Sequence, residues 1–382
     1  MPPLKSRLGK LIANIESNYD RLALALRKRL DSDTPLQIIT YRSYGTLNRL
    51  YVKGRVLRDN GIAKSSDKDS IWRNLLNMYK RFESDEVPNA NLQIEFQGKS
   101  HLVTTDDEGY FSVNLLSETP IHRDDMWYDV GIELKSAPFG FSPGIRSTAN
   151  VLVPPADAEY GIISDIDDTV VKTNATSLLA MSRNTFFHNA HTRLPFAGVS
   201  EFYRALQLGR NGKRNNPFFY VSSSPWNLYD LLIDFLDLNN IPEGPLLLRD
   251  FGLDRSKESS GHMGHKFKEI KNILLAYPLL KFVLIGDSGQ EDPKIYREVV
   301  SKFPGRILAI YIRNVQLRDR EKIAVDISKG LADAVDMVIV DNTIEAAEHA
   351  VKTGLIFGEA IPEIVVDKKL DKGEIPGKEE IL

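Results

Sequence analysis

Asp165, Asp167 and Thr169 stand in the run Gly161-Ile162-Ile163-Ser164-Asp165-Ile166-Asp167-Asp168-Thr169-Val170, where a short apolar strand is predicted to end. In an extended segment successive side chains point to opposite sides, so Asp165 and Asp167 can address one ligand while Ile166 faces away. Thr169 adds a turn hydroxyl at the same spacing. On their own, such residues serve equally well as turn and cap groups.

Two further strand ends carry capable residues. Ser222-Ser223-Ser224 closes the run Pro217 to Val221, and Gly286-Asp287-Ser288-Gly289-Gln290-Glu291-Asp292 closes Phe282 to Ile285. Any one of these is ordinary; three on one edge of one sheet are not. Carboxylates from separate strand ends, with no cysteine and with histidines away from ligand spacing, suit a hard, oxygen-preferring cation such as magnesium. Magnesium in turn implies phosphate, because it commonly binds one or two carboxylates together with phosphate oxygens. Gly264-His265-Lys266-Phe267-Lys268-Glu269-Ile270 opens a helix near the same edge. A lysine there can balance the carboxylates and hold a phosphoryl group.

The elements that must position these groups follow from apolar periodicity. Ile162 to Ser164, Pro217 to Val221, Leu246 to Leu248, Phe282 to Ile285, Ile307 to Ile312 and Met337 to Val340 are strands alternating with helical segments. This predicts an α/β fold, a doubly wound parallel sheet with ligands beyond the strands' carboxyl ends. From Leu36 to Pro155 the pattern is period two, with Leu50, Val52 and Val56, then Leu92, Ile94 and Phe96, then Tyr110 to Leu115 and Trp127 to Leu134. It predicts a β-rich domain, an antiparallel sandwich or small barrel, with a turn at Asp106-Asp107-Glu108-Gly109. Lys64 to Glu86 reads as a polar insertion with a helical middle, Ile71 to Met78.

The expected division is therefore an amphipathic basic helix over 1–35, the β-rich domain over 36–155, the catalytic domain over 156–360 and a charged tail over 361–382, with Pro154-Pro155 at the main boundary. A chain of 382 residues is long enough for two cores. With 49 basic and 52 acidic residues the net charge is -3, so no global field favours nucleic acid. Without cysteine there is neither a disulfide framework nor a thiolate site. No stretch reaches the apolar length of a signal core or a spanning helix, so the expectation is a cytoplasmic protein with at most peripheral membrane contact; the basic helix is read first as docking onto its own protein, with an anionic membrane surface as the alternative.

Asp-x-Asp-x-Thr, a strand-terminal serine, a helix-borne lysine and Gly-Asp-x-x-x-x-Asp, in that order, resemble the four motifs of the haloacid dehalogenase-type phosphatases. Tyr220 to Tyr229 and Leu284 to Asp292 further resemble the actin-patch-type phosphatidate phosphatases, whose catalytic domain is related to that of the lipins. The resemblance covers about Tyr160 to Asn342. Tyr41-Arg42-Ser43-Tyr44-Gly45-Thr46 and Leu50 to Val56 are similar to the β-rich region that precedes the catalytic domain in bacterial relatives.

What the resemblance implies is a haloacid dehalogenase-like Rossmannoid sheet with a small cap, a magnesium ion, and phosphatidate or another phosphomonoester as substrate. Asp165 is then the nucleophile and Asp167 the acid and base, with Thr169 in the same motif. Asp165, the backbone carbonyl of Asp167 and Asp287 bind Mg2+, and Asp292 is a further ligand or an orienting group. Ser222 hydrogen-bonds a phosphoryl oxygen, the Ser223 amide contacts phosphate and Lys266 neutralises charge. Lys268 stands as the alternative to Lys266, and Ser223 to Ser222. A soluble phosphomonoester or phosphoprotein substrate, and a non-catalytic module that binds phospholipid headgroups, remain as other readings.

Asp168 is read as a local turn residue. His188, His191 and Arg193 fall in the cap segment from Val170 to Asn216, whose apolar residues Leu178, Leu179, Met181, Phe186 and Phe187 read as core. His262 and His265 lie at another catalytic-edge loop. Arg210, Lys213 and Arg214 precede a strand, which puts them on the opposite edge as a solvated loop.

Overall fold

The computed structural model describes residues 35–59, 86–121, 126–166, 198–249, 262–315 and 318–371. The N-terminal helix, the helical middle of the polar insertion, Asp167, Asp168, Thr169, the cap residues through Ala197 with His188, His191 and Arg193, and the tail beyond Asp371 lie outside them.

Among the described residues the β-rich part contains eight strands: β1 (Leu36–Tyr41), β2 (Ser43–Thr46), β3 (Arg49–Arg58), β4 (Asn91–Phe96), β5 (Lys99–Thr104), β6 (Tyr110–Leu116), β7 (Trp127–Ser136) and β8 (Arg146–Leu152). They follow the hydrogen-bonded order β1-β3-β2-β8-β7-β4-β5, with β6 paired to β3. Alternate residues Leu50, Val52 and Val56, Leu92, Ile94 and Phe96, and Val130, Ile132 and Leu134 are buried, as period two requires. The expected turn is present, with Asp106 Oδ1 accepting the amides of Glu108 and Tyr110 at 3.0 and 2.8 Å. One pair corrects the antiparallel expectation: β2 runs parallel to β8, Ser43 opposite Val151 and Tyr44 opposite Leu152.

The second sheet is parallel, in the order β11-β10-β9-β12-β13-β14. Its strands are β9 (Gly161–Asp165), β10 (Phe218–Pro225), β11 (Leu246–Arg249), β12 (Phe282–Asp287), β13 (Ile307–Arg313) and β14 (Met337–Val340). Between and after them run α1 (Val199–Leu208), α2 (Tyr229–Leu238), α3 (His262–Ala276), α4 (Asp292–Lys302), α5 (Arg318–Leu331), α6 (Thr343–Lys352) and α7 (Ala360–Asp371).

Helices cover both faces, and alternation along each strand decides which. Ile163, Phe219, Val221, Leu284, Ile310 and Ile312 share one core with Ile270, Ile273 and Leu274 of α3, Ile295 and Val299 of α4, and Ile327 of α5. Their neighbours point the other way. Tyr203 of α1 lies 5.2 Å from the Phe218 ring, Phe202 packs edge-on against Tyr311 at 5.7 Å, and the Tyr203 and Ser164 hydroxyls are 2.7 Å apart. Strands buried on both faces must be apolar throughout, which explains the unbroken Phe282 to Ile285 run.

Two stretches depart from the expected boundaries. Val199–Leu208, placed with the cap, is helix α1 with Phe202 and Tyr203 buried. Residues 361–371, placed with the tail, belong to α7, whose Ile364 is buried and whose Asp367 accepts the Glu201 amide at 3.2 Å. Gly198 makes this packing possible, since its φ is +77° and a Cβ there would run into the Lys368 backbone.

The described chain separates into two compact units. One takes the residues up to Thr40, Lys53–Val113 and Val130–Ala149; the other takes Tyr41–Val52, Asn114–Asp129 and everything from Asn150 onward. The second unit thus holds the parallel sheet and also the short β2 strap. Among the described residues no helix is long and apolar enough to cross a membrane.

Candidate active site

Asp165 ends β9, and the register fixes what surrounds it. Val221 of β10 lies opposite Asp165, and Ile285 of β12 lies opposite Ser164. Ser222-Ser223-Ser224 on one side and Gly286-Asp287 on the other therefore leave the sheet beside it. All six of these polar residues, Asp165, Asp287 and the three serines with Ser288, are buried.

Lys266 rises from the first turns of α3 into the same place. Its Nζ lies 2.8 Å from Asp165 Oδ1 and 3.0 Å from Asp292 Oδ1, and donates to Gln290 Oε1 at 3.1 Å. Side-chain exposure is 4% for Lys266, 3% for Asp165 and none for Asp292, so water screens this pairing little. Lys268, by contrast, is exposed. Of the two candidate lysines, Lys266 is the one that meets the carboxylates.

The loop from Asp287 to Asp292 is held from within and from β13. Asp287 Oδ1 accepts the amides of Gly289 and Gln290 at 2.7 and 3.0 Å, and the Asp287 amide donates to Asp292 Oδ2 at 3.2 Å. The Ser288 amide donates to the Arg313 carbonyl at 2.8 Å, while Ser288 Oγ accepts the Val315 amide at 3.1 Å. Gly286 is required by close approach: a Cβ there would strike the Asp292 carboxylate and the Tyr296 hydroxyl. Tyr296, one turn after Asp292 on α4, donates to the Ile285 carbonyl at 2.7 Å. Burial, and then the charges of Asp292, Asp165 and Asp287, push its hydroxyl well above the usual range, so it stays a proton donor.

Asp165, Asp287 and Asp292 offer oxygens that all lie within 4.8 Å of one another. The donor set fits a hard divalent cation: it is all carboxylate, it is buried, and the Lys266 ammonium pairs with two of the three, Asp165 and Asp292.

The serines differ in what they do. Ser222 Oγ accepts the Ser224 amide at 2.9 Å and so shapes the turn, whereas Ser223 is the next residue beyond it at the same edge. His265 is buried beside Lys266. Arg210, Lys213 and Arg214 lie before β10, at the amino edge. There the Arg210 amide donates to Glu159 Oε2 at 2.6 Å, and Lys213 pairs with Asp157. Asp165, Lys266, Asp287 and Asp292 are thus brought together directly, with Ser222 and Ser223 on the adjoining strand end; Asp167 and Thr169 are outside the described residues. Gln290 as a lysine partner and Tyr296 beneath the loop were not singled out by motif, because an amide and a buried tyrosine carry no distinctive spacing.

Comparison with known proteins bears on the same residues. Residues 160–314 match the family model described as phosphatidate phosphatase APP1, catalytic domain. The chain is 34% identical over 244 residues to phosphatidate phosphatase APP1 of Saccharomyces cerevisiae, covering 61% of this chain and 39% of the yeast protein. It is 33% identical over 156 residues to an uncharacterized protein of Schizosaccharomyces pombe, covering 40% of this chain and 25% of that protein. The chain therefore spans well under half the length of these two relatives. Among solved structures, a carbohydrate acetylesterase from Xanthomonas citri aligns over 89% of this chain and 75% of its own, at 10% identity and a TM-score of 0.26, a likeness too slight to carry an argument.

Proposed function

We propose, from the match of residues 160–314 to the phosphatidate phosphatase APP1 catalytic-domain model, that this protein is a magnesium-dependent phosphomonoester hydrolase of haloacid dehalogenase type acting on phosphatidate. The observation that carries the reading is the buried cluster in which Lys266 Nζ sits between Asp165 and Asp292, with Asp287 alongside.

Asp165 ends β9 and Lys266 holds its Oδ1, which supports its reading as the nucleophile. In the first step an Asp165 carboxylate oxygen attacks phosphorus, the bond from phosphorus to the glycerol oxygen breaks, and Asp167 gives that oxygen its proton. In the second, Asp167 takes a proton from water, whose oxygen displaces the Asp165 carboxylate to release phosphate. Splitting the hydrolysis this way replaces one difficult step by two easier ones. Ser222 and Ser223 supply hydroxyl and amide donors for the phosphoryl oxygens, and the Lys266 ammonium offsets their charge. Asp165, Asp287 and Asp292, with the Asp167 carbonyl, would hold Mg2+, which neutralises phosphoryl charge when bound. A lipid substrate implies peripheral contact with a bilayer.

The test is magnesium-dependent release of phosphate from phosphatidate in mixed micelles, beside a panel of soluble phosphomonoesters and a phosphopeptide. Preference for the micellar lipid is expected. A stronger rate on the soluble panel removes the lipid assignment, and magnesium-dependent binding to phosphatidate vesicles with no phosphate released removes catalysis.

A further inference from the structure

The motif Tyr41-Arg42-Ser43-Tyr44-Gly45-Thr46 is far in sequence from every residue given a chemical role above. In the fold it touches two of the elements that carry them. The Tyr41 ring lies 4.7 Å from Trp226 and 4.5 Å from Tyr229, centroid to centroid. Trp226 begins the short 3-10 turn Trp226–Leu228 that follows Ser222-Ser223-Ser224, and Tyr229 opens α2. The Arg42 amide donates to the Tyr229 hydroxyl at 2.6 Å, across 187 residues of sequence. Its guanidinium meets Asp237 at 3.4 Å and Glu243 at 3.3 Å, at the far end of α2 and beyond it.

The second half of the motif reaches α3. Tyr277, just past its last residue, donates its hydroxyl to the Gly45 carbonyl at 2.8 Å. The Tyr44 ring packs on Phe219 of β10 at 5.7 Å and on Tyr277 at 6.2 Å. Gly45 itself sits where a Cβ would run into the Arg49 carbonyl and Leu50, so the strap folds back tightly. All of these residues belong to the same compact unit.

We infer that the strap Tyr41 to Gly45 is a positioning element for the active site: it clamps the turn after the serine run, while its contact with Tyr277 holds the end of α3 remote from Lys266. This rests on the catalytic reading of Ser222 and Ser223. The aromatic trio is edge-on and stacked packing of large rings, which orients as well as buries. The hydrogen bond from the Arg42 amide then fixes where along the strap Tyr229 sits. A turn that donates to a phosphoryl group must be held to within a fraction of an ångström, and a displacement of about 1 Å costs up to about a hundredfold in rate.

The experiment uses the full chain with Tyr41→Ala, Tyr41→Phe and Tyr229→Phe. Amide hydrogen exchange in Tyr41→Ala should accelerate across residues 222–229 while β12 and β13 keep wild-type protection. On phosphatidate micelles kcat should fall about tenfold or more, with KM changed less than about twofold. Tyr41→Phe, which keeps the ring, should restore both, and Tyr229→Phe should fall between. Unchanged exchange at 222–229 overturns the inference, as does acceleration spread equally over β12 and β13, since that is global loosening. Should the wild-type protein release phosphate from nothing in the panel, the proposed function falls, and the exchange pattern alone still decides the clamp.

Discussion

The two edges of the parallel sheet are built from the same residue types and use them in opposite ways. At the carboxyl edge Asp165, Asp292 and Lys266 are buried and paired with one another, out of reach of water. At the amino edge Asp157 and Lys213 pair while 51% and 61% exposed, and Arg306 spends its guanidinium on backbone, donating to the carbonyls of Tyr277, Leu280 and Leu274 at 2.6, 2.7 and 3.2 Å. Charges at the amino edge finish turns. Those at the carboxyl edge face each other, an arrangement that costs desolvation and that functional sites commonly show.

The largest effect should come from Asp165→Asn, which keeps the shape and removes the attacking charge. Phosphate release should drop about a thousandfold or more with circular dichroism unchanged. A rate within tenfold of wild type would return Asp165 to the class of turn residues, and the two edges would differ only in burial.

Next is Lys266→Met, which leaves two buried carboxylates without their ammonium. Breaking a buried pair from one side costs about 3–5 kcal/mol, and removing one charge-stabilising donor costs about a hundredfold in rate. Urea unfolding and kcat read the two losses separately. Lys268→Met should move neither, because that side chain is exposed.

The contrast between these two lysines shows how far the sequence can be read. Unbroken apolar runs such as Phe282 to Ile285 announce strands buried on both faces, because a strand with one face in solvent alternates. The acidic clusters after them stand out for the same reason. Of the two lysines near the start of α3, Lys266 stands four and seven residues before the apolar Ile270 and Ile273 and so shares their face, while Lys268 does not; the carboxylates it meets come from distant parts of the sequence and are shown by the fold alone. In the β-rich part, Lys99–Thr104 is a strand at the end of the sheet order with mostly exposed side chains, so no apolar alternation marks β5. The contact of Tyr41 with Trp226 spans too much sequence for any local pattern to reveal.

At the amino edge Arg306→Ala should behave as a stability variant alone. It removes charged hydrogen bonds to three carbonyls around the end of α3, worth about 1.5–3 kcal/mol, with kcat unchanged. A fall in kcat without a fall in the unfolding midpoint would mean that the edges are coupled along α3.

The smallest effect belongs to Lys213→Ala, and it sharpens the comparison most through its dependence on conditions. The hydrogen bond from Lys213 holds the Asp157 carboxyl below its usual 3.8. A depressed carboxylate stabilises the fold above the unfolded-state value and loses that contribution as pH falls through the folded one. The wild-type and variant stability curves should therefore be separated slightly above about pH 4 and merge below it. Because both partners stand in solvent, the separation should also vanish in salt, where the screening length shrinks to about 3 Å at 1 M. The deficit of Lys266→Met should survive the same salt, since its partners are buried. If 1 M salt erased both deficits alike, the carboxyl-edge cluster would be as wet as the amino edge, and burial could no longer be the reason its charges are assigned to chemistry.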